Sequence, residues 1–248
     1  FESGDGGQNW TLNESLWAQP GRQEWFGGGY DVPGIHSILI DPRPAASGRR
    51  LLVGISCGGV WASTDAGQSW TLSARGMRAS YLPPEGSEDQ NTQDPHRIVA
   101  CHAAPDHLWC QHHDGIWRST DAAASWQPIG DVPVSAFGFA VAVDPTDPQR
   151  AWFVPASSDQ PRIPVDAALA VLRTDDGGRS FKALRAGLPQ SHCYDLFYRH
   201  GLDVSSDGRM LMMGSTTGGL WVSEDAGEHW ICVSSTLPPI HSVTLEPR

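Results

Sequence analysis

Four histidines occupy one slot of a recurring pattern. The runs HSILID at 36, HRIVAC at 96, HGLDVS at 200 and HSVTLE at 241 each open on histidine, and FAVAVD at 139 puts Phe139 in the same slot. Only ten of the 248 residues are histidine, so four in register mark a selected position. Neutral imidazole is a ligand for divalent transition metals, which makes His36, His96, His200 and His241 candidate metal ligands. Cys57 or Asp31 could complete a shell, and the tightest set pairs His36 and His96 with Cys57, His112 or His113 from the following strand. A second reading is architectural: each ring bonds a neighbouring backbone carbonyl, a role that would repeat with the pattern.

Other chemistry-bearing residues fall in the loops around the same slot. Arg97, Arg162 and Arg199 are candidates to hold an anionic group, because guanidinium pairs with carboxylate in a bidentate fork. His113 joins them as a polar ligand-binding candidate. Tyr30 with Glu24 and Asp31, Asp94, and Tyr194 with Asp195 are candidate nucleophiles and proton donors or acceptors. Together these residues suit a small polar ligand.

The elements that position them are announced by an octet. SGDGGQNW at 3, STDAGQSW at 63, STDAAASW at 119, TDDGGRSF at 174 and SEDAGEHW at 223 carry Asp5, Asp65, Asp121, Asp176 and Asp225, spaced 60, 56, 55 and 49 residues apart. A period near that length, with short alternating apolar runs and turn residues, predicts stacked β units of four antiparallel strands. No helical periodicity competes. The fold expected is all-β, a β-propeller of four-stranded blades, with first strands near 36–41, 96–101, 139–144 and 200–205. Within each octet the Asp caps its own turn through backbone N–H groups, and the glycine two residues on supplies a positive φ. The terminal Trp or Phe fills the space between blades. The turn at 119–126 has Ala123 in place of glycine and is expected to be strained or differently shaped. The first strands of a propeller line its channel. Their starts, the ends of the second strands and the loops between blades all open on the face opposite the octets, so the candidate site lies at that channel mouth.

The octet resembles the Asp-box, or bacterial-neuraminidase repeat, S-x-D-x-G-x-x-W. That repeat is found in sialidases, sortilin-type receptors, some xyloglucan-active glycosidases and photosystem assembly factors. EWFGGGYDVPGIHSILIDP, FGFAVAVDP and GSTTGGLWVSEDAG resemble a bacterial family of such propellers labelled sialidase-like. The resemblance implies structural Asp-boxes remote from the active site, and a sialidase-like hydrolase or a binding protein for a carbohydrate or small polar ligand. It equally admits a non-catalytic interaction or assembly scaffold, and fold alone does not choose between them. Sialidases use three arginines, a tyrosine activated by glutamate and an aspartic acid. PRIP at 161–164 resembles their Arg-Ile-Pro motif, but here it lies in a loop between second and third strands, where that motif is out of context.

Composition narrows the partners. Seventeen basic against 28 acidic residues give a net charge of −11, a surface that repels nucleic acid and anionic lipid. No apolar run is long enough to span a bilayer. Five cysteines without metal-ribbon spacing fit a reducing compartment, hence the cytoplasm. Secretion stays open, because aligning the octets puts Phe1 at the end of a third strand, as though an N-terminal segment were missing. Residues 1–248 are read as one propeller domain with four full blades and parts of two, six in the intact ring, or seven.

Overall fold

The strands fall where the repeat alignment places them. A computed structural model describes residues 1–44, 46 and 48–245. The first sheet comprises β1 (Ile35–Ile40), β2 (Leu51–Ile55), β3 (Gly59–Ser63) and β4 (Thr71–Leu72). The second comprises β5 (Pro95–Ala100), β6 (Leu108–His112), β7 (Gly115–Ser119) and β8 (Gln127–Pro128). The third comprises β9 (Gly138–Val143), β10 (Ala151–Pro155), β11 (Val171–Thr174) and β12 (Lys182–Leu184). The fourth comprises β13 (Leu202–Val204), β14 (Leu211–Gly214), β15 (Leu220–Ser223) and β16 (Ile231–Ser234). Within each sheet every strand pairs antiparallel with its neighbour in sequence. The first strands β1, β5, β9 and β13 contact one another in succession, so the sheets are arranged radially as the blades of a β-propeller. The chain then returns: Ser242 bridges His200 in parallel, and the N–H of Val243 donates to the His200 carbonyl at 2.8 Å. This segment is the expected strand opening at His241, whose end at 246–248 lies outside the described residues. No described helix is long and apolar enough to cross a membrane.

Apolar side chains from adjacent blades form the cores. Trp117, Trp126, Met77 and Val60 join the first blade to the second. Trp109, Val141 and Phe153 join the second to the third, and Trp152, Leu184, Trp221 and Trp230 the third to the fourth. Strand β9 has neighbours on both sides and is buried along its whole length, which explains its unbroken apolar reading.

All five octets make one hydrogen-bond pattern. The hydroxyl of the leading Ser or Thr donates to the Asp carboxylate and accepts the N–H of the octet's fifth residue: Gly67 to Ser63 at 2.8 Å, Ala123 to Ser119 at 2.9 Å, Gly227 to Ser223 at 2.9 Å. The same carboxylate accepts the N–H of the seventh residue, as Asp65 does from Ser69 at 2.9 Å. The turn at Ala123 keeps this shape, so of the two expectations only strain applies. Ala122 and Ala123 take φ values of 63° and 66°, a region costing an L-residue about 1–2 kcal/mol. The terminal rings Trp70, Trp126 and Trp230 are buried, whereas Trp10 is 62 % exposed.

These bonds hold the octet carboxylates below the usual range. The Ser69 hydroxyl and N–H bring Asp65 down to about 2, the Ser180 hydroxyl and N–H do the same for Asp176, and the N–H and side chain of Asn9 for Asp5. A carboxyl whose folded pKa is depressed stabilises the fold above its unfolded pKa near 3.8 and loses that contribution as pH falls through the folded value. The melting temperature is therefore expected to drop steadily between about pH 4 and pH 2. Thermal melts by circular dichroism check this, and Asp65→Asn should flatten the slope; an unchanged slope would remove the octets as its source.

Candidate functional site

The last four octets are each tied to the hairpin joining the first two strands of their blade. The N–H of Ala66 donates to Arg49 O, Ala122 to Asp106 O, Gly177 to Gln149 O and Ala226 to Arg209 O. The octets thus mark one end of the blades. The starts of β1, β5 and β9, and the turns after β2 and β6, mark the other.

At that other end the histidine slot is a β-bulge. In the first blade Ile35 pairs with Ile55 and Ser37 with Gly54, leaving His36 as the extra residue. In the second, Pro95 pairs with His112 and Arg97 with Gln111, leaving His96 extra. In the third, Val141 pairs with Phe153 and Gly138 with Pro155, so the extra residue falls at 139–140. A bulge re-aims its side chain out of the strand's alternation, which is how one slot in three blades comes to face the channel.

Around these bulges the chain lines a narrow cavity of ≈ 20 Å³. Its polar wall is Ser56, Asp94, His96, His113 and Asp159, its cationic wall Arg162 and Arg199, and its aromatic floor Phe137, Phe139 and Tyr198, with Tyr30 at the rim. Asp94 and His96 are each 3 % exposed. The His96 ring stacks on Phe139 at 4.5 Å and meets His113 edge-on at 5.6 Å. Its Nδ1 lies 2.7 Å from the Gly138 carbonyl and its Nε2 3.4 Å from Asp94 Oδ2. The other Asp94 oxygen accepts the Ser56 hydroxyl at 2.9 Å. Burial alone would raise the Asp94 carboxyl, but its contact with His96, the neighbouring His112 ring and the Ser56 hydroxyl outweigh it and hold it well below the usual carboxylate range. The Cys57 thiol beside it is pushed up to about 12 by burial and by the Asp94 charge.

The cavity collects Tyr30, Asp94, His96, His113, Arg162 and Arg199 from the residues singled out in the sequence. An adjoining cleft of ≈ 260 Å³ holds His36, His200 and His241 with Tyr198 and Arg199. There burial, helped by the Arg199 charge, brings His36 down to about 4. His200 is used up locally: Nε2 lies 3.0 Å from the His36 carbonyl, and Nδ1 meets the Arg97 guanidinium. The four slot histidines thus do not gather on one point. Glu24 lies outside the cavity, with its carboxylate on Asn91 at 2.8 Å. Asp31 and Tyr194 are exposed and line neither space. Asp195 faces a different cleft, accepting from Ser215 at 2.6 Å and from Cys193 at 3.0 Å. Phe137, Tyr198 and Asp159 were not singled out; as loop residues beside Phe139, Arg199 and Arg162, only their neighbours signalled them.

No family model matches the chain, and no curated protein matches it. Among solved structures it is similar to an ancestral GH74 enzyme, at 15 % identity and TM-score 0.59, over 81 % of this chain and 24 % of that one. It is similar to the GH74 xyloglucanase from Xanthomonas campestris at 20 % identity and TM-score 0.55, over 85 % and 31 %. It is also similar to a GH74 enzyme from Niastella koreensis at 13 % identity and TM-score 0.52, over 84 % and 26 %. The chain spans about a quarter to a third of the length of these structures, and the likeness is one of fold.

Proposed function

We propose that this chain is a sialidase-like, Asp-box ligand-binding propeller whose channel-mouth cavity takes a small carboxylate-bearing sugar or sugar-like molecule. The observation that carries the reading is the pair Arg162 and Arg199. Their guanidinia stand 5.5 and 5.4 Å from the centroid of the same Phe139 ring. Among the described residues neither has a carboxylate within ion-pair distance, and Arg199 Nε is a buried donor without a partner. Arg162 Nε donates to the Asp159 carbonyl at 2.8 Å, which holds that guanidinium in place, and two guanidinia without carboxylate partners over an aromatic floor suit a planar anion and the apolar face of a ring. The pocket itself, ≈ 20 Å³, has room for a water-sized group such as a carboxylate, and the remainder of the ligand would lie over the adjoining cleft of ≈ 260 Å³, which shares Tyr30, Tyr198 and Arg199. The GH74 neighbours, one of them a xyloglucanase, support carbohydrate as the class. Asp94 and the rim hydroxyl of Tyr30 are the groups placed to act on such a ligand as base and nucleophile. A polar, charged channel mouth supports this reading over an assembly scaffold, which would show a plugged, apolar face.

Calorimetric titration with N-acetylneuraminic acid and with glucuronic acid tests it. At least one should bind, and Arg199→Ala should weaken binding about 30-fold or more, since a hydrogen bond to a charged group and its pairing are lost. The neutral methyl ester of the same sugar should bind as poorly to the unaltered protein as the acid does to the variant. Equal affinity for acid and ester would sink the carboxylate clamp.

A further inference from the structure

The geometry points to a metal site built from Asp94, His96 and His113, taking one divalent first-row transition ion and leaving coordination positions open toward the cavity. Asp94 Oδ2 lies 3.4 Å from His96 Nε2 and 3.7 Å from His113 Nδ1, and the three ligand atoms all lie within 4.8 Å of one another. Two ligands each about 2.0–2.2 Å from a tetrahedral ion stand roughly 3.4 Å apart, so the first pair is already at ligand spacing and the His113 ring closes the set by a small rotation.

The contacts behind the ligands are the second observation. A carbonyl oxygen only accepts, so His96 Nδ1 donates to Gly138 O at 2.7 Å, and Nε2 is the nitrogen turned to Asp94 Oδ2 in a 3 %-exposed pocket. A backbone carbonyl fixing the far nitrogen, and the Ser56 hydroxyl fixing the far oxygen at 2.9 Å, are the outer contacts that orient metal-ligating imidazole and carboxylate. Two imidazoles and one carboxylate with vacant positions suit zinc, iron(II), cobalt(II) or manganese(II). Of the ring of four histidines expected from sequence only His96 belongs; of the tighter expected shell His96 and His113 belong, and Asp94 takes the place of His36. Cys57, also a candidate to complete the shell, is absent from the set.

Titration of the EDTA-treated full chain with cobalt(II) chloride, followed by visible absorption and calorimetry without any sugar acid, tests the site. One ion per chain is expected. Asp94→Asn and His113→Ala should each weaken it by about tenfold or more, while His229→Ala, at an exposed imidazole beside Asp225, should not. If Asp94→Asn fails to fold, His113→Ala, at a half-buried ring, decides. Absence of a one-to-one complex, or equal affinity in the His113 variant, would overturn the proposal. The anion reading is separable, because Arg199→Ala should still bind cobalt, and the comparison of sugar acid with its ester is made on EDTA-treated protein without the ion.

Discussion

Trp126→Ala is expected to cost about 3–5 kcal/mol of folding stability, as full truncation of a buried aromatic does. The ring is 2 % exposed and packs with Met77, Ala74 and Trp117 in the seam between the first two blades. Its indole N–H donates to the Ser73 carbonyl at 2.8 Å, so truncation also strands a buried acceptor in the neighbouring blade. Urea unfolding followed by tryptophan fluorescence or circular dichroism measures the loss. Trp10, the matching residue of the first octet, is 62 % exposed, and Trp10→Ala should stay within about 0.5 kcal/mol of the parent. The octets lie at the far end of the blades from the cavity, so Trp126→Ala should bind sugar acid and cobalt like the parent wherever it is folded. Equal stability of the two variants would remove the inter-blade role of the octet ring.

His96→Ala is expected to cost about 3–5 kcal/mol as well, by a different route. The alanine leaves the Asp94 carboxylate in a pocket where each was 3 % exposed, with the Ser56 hydroxyl as its remaining close donor and His113 Nδ1 at 3.7 Å. Breaking one side of a buried charge arrangement costs more than removing both. Asp94→Asn added to His96→Ala should therefore recover part of the loss, which denaturant midpoints of the two single variants and the double variant would show. Additive losses would mean that Asp94 and His96 act independently, and the coupling inferred from their 3.4 Å approach would fall.

The blades were legible because their signals are local. An Asp-containing turn, an alternating run and a terminal aromatic recur with each unit, and β1, β5 and β9 begin within one residue of their expected starts. The candidate site was legible in part. The His96 slot, Asp94, His113, Arg162 and Arg199 were singled out and lie around one cavity. What sequence alternation could not say is where a bulge turns a side chain. His36 and His96 are both inserted residues in their ladders, yet His36 ends in the adjoining cleft and His96 against Asp94. Nor did it show that His200 would precede its strand, which starts at Leu202, and be held by the His36 carbonyl. Loop composition misled at Glu24, which caps onto Asn91, because a carboxylate that fixes a loop and one that faces a ligand have the same letter.

The cavity draws on sequence-distant parts of the chain: Tyr30 ahead of the first blade, Ser56 at the end of β2, His96 and His113 in the second blade, Arg162 in the third, and Tyr198 and Arg199 just before the fourth. During synthesis the N-terminal blades emerge and can fold first, but the aromatic and cationic side contributed by residues 198 and 199 arrives after roughly four-fifths of these 248 residues. A nascent chain therefore lacks the two-arginine side of the pocket until Arg199 has emerged. If the pocket binds a sugar acid as proposed, that ligand would stabilise finished molecules and leave truncated ones to degradation.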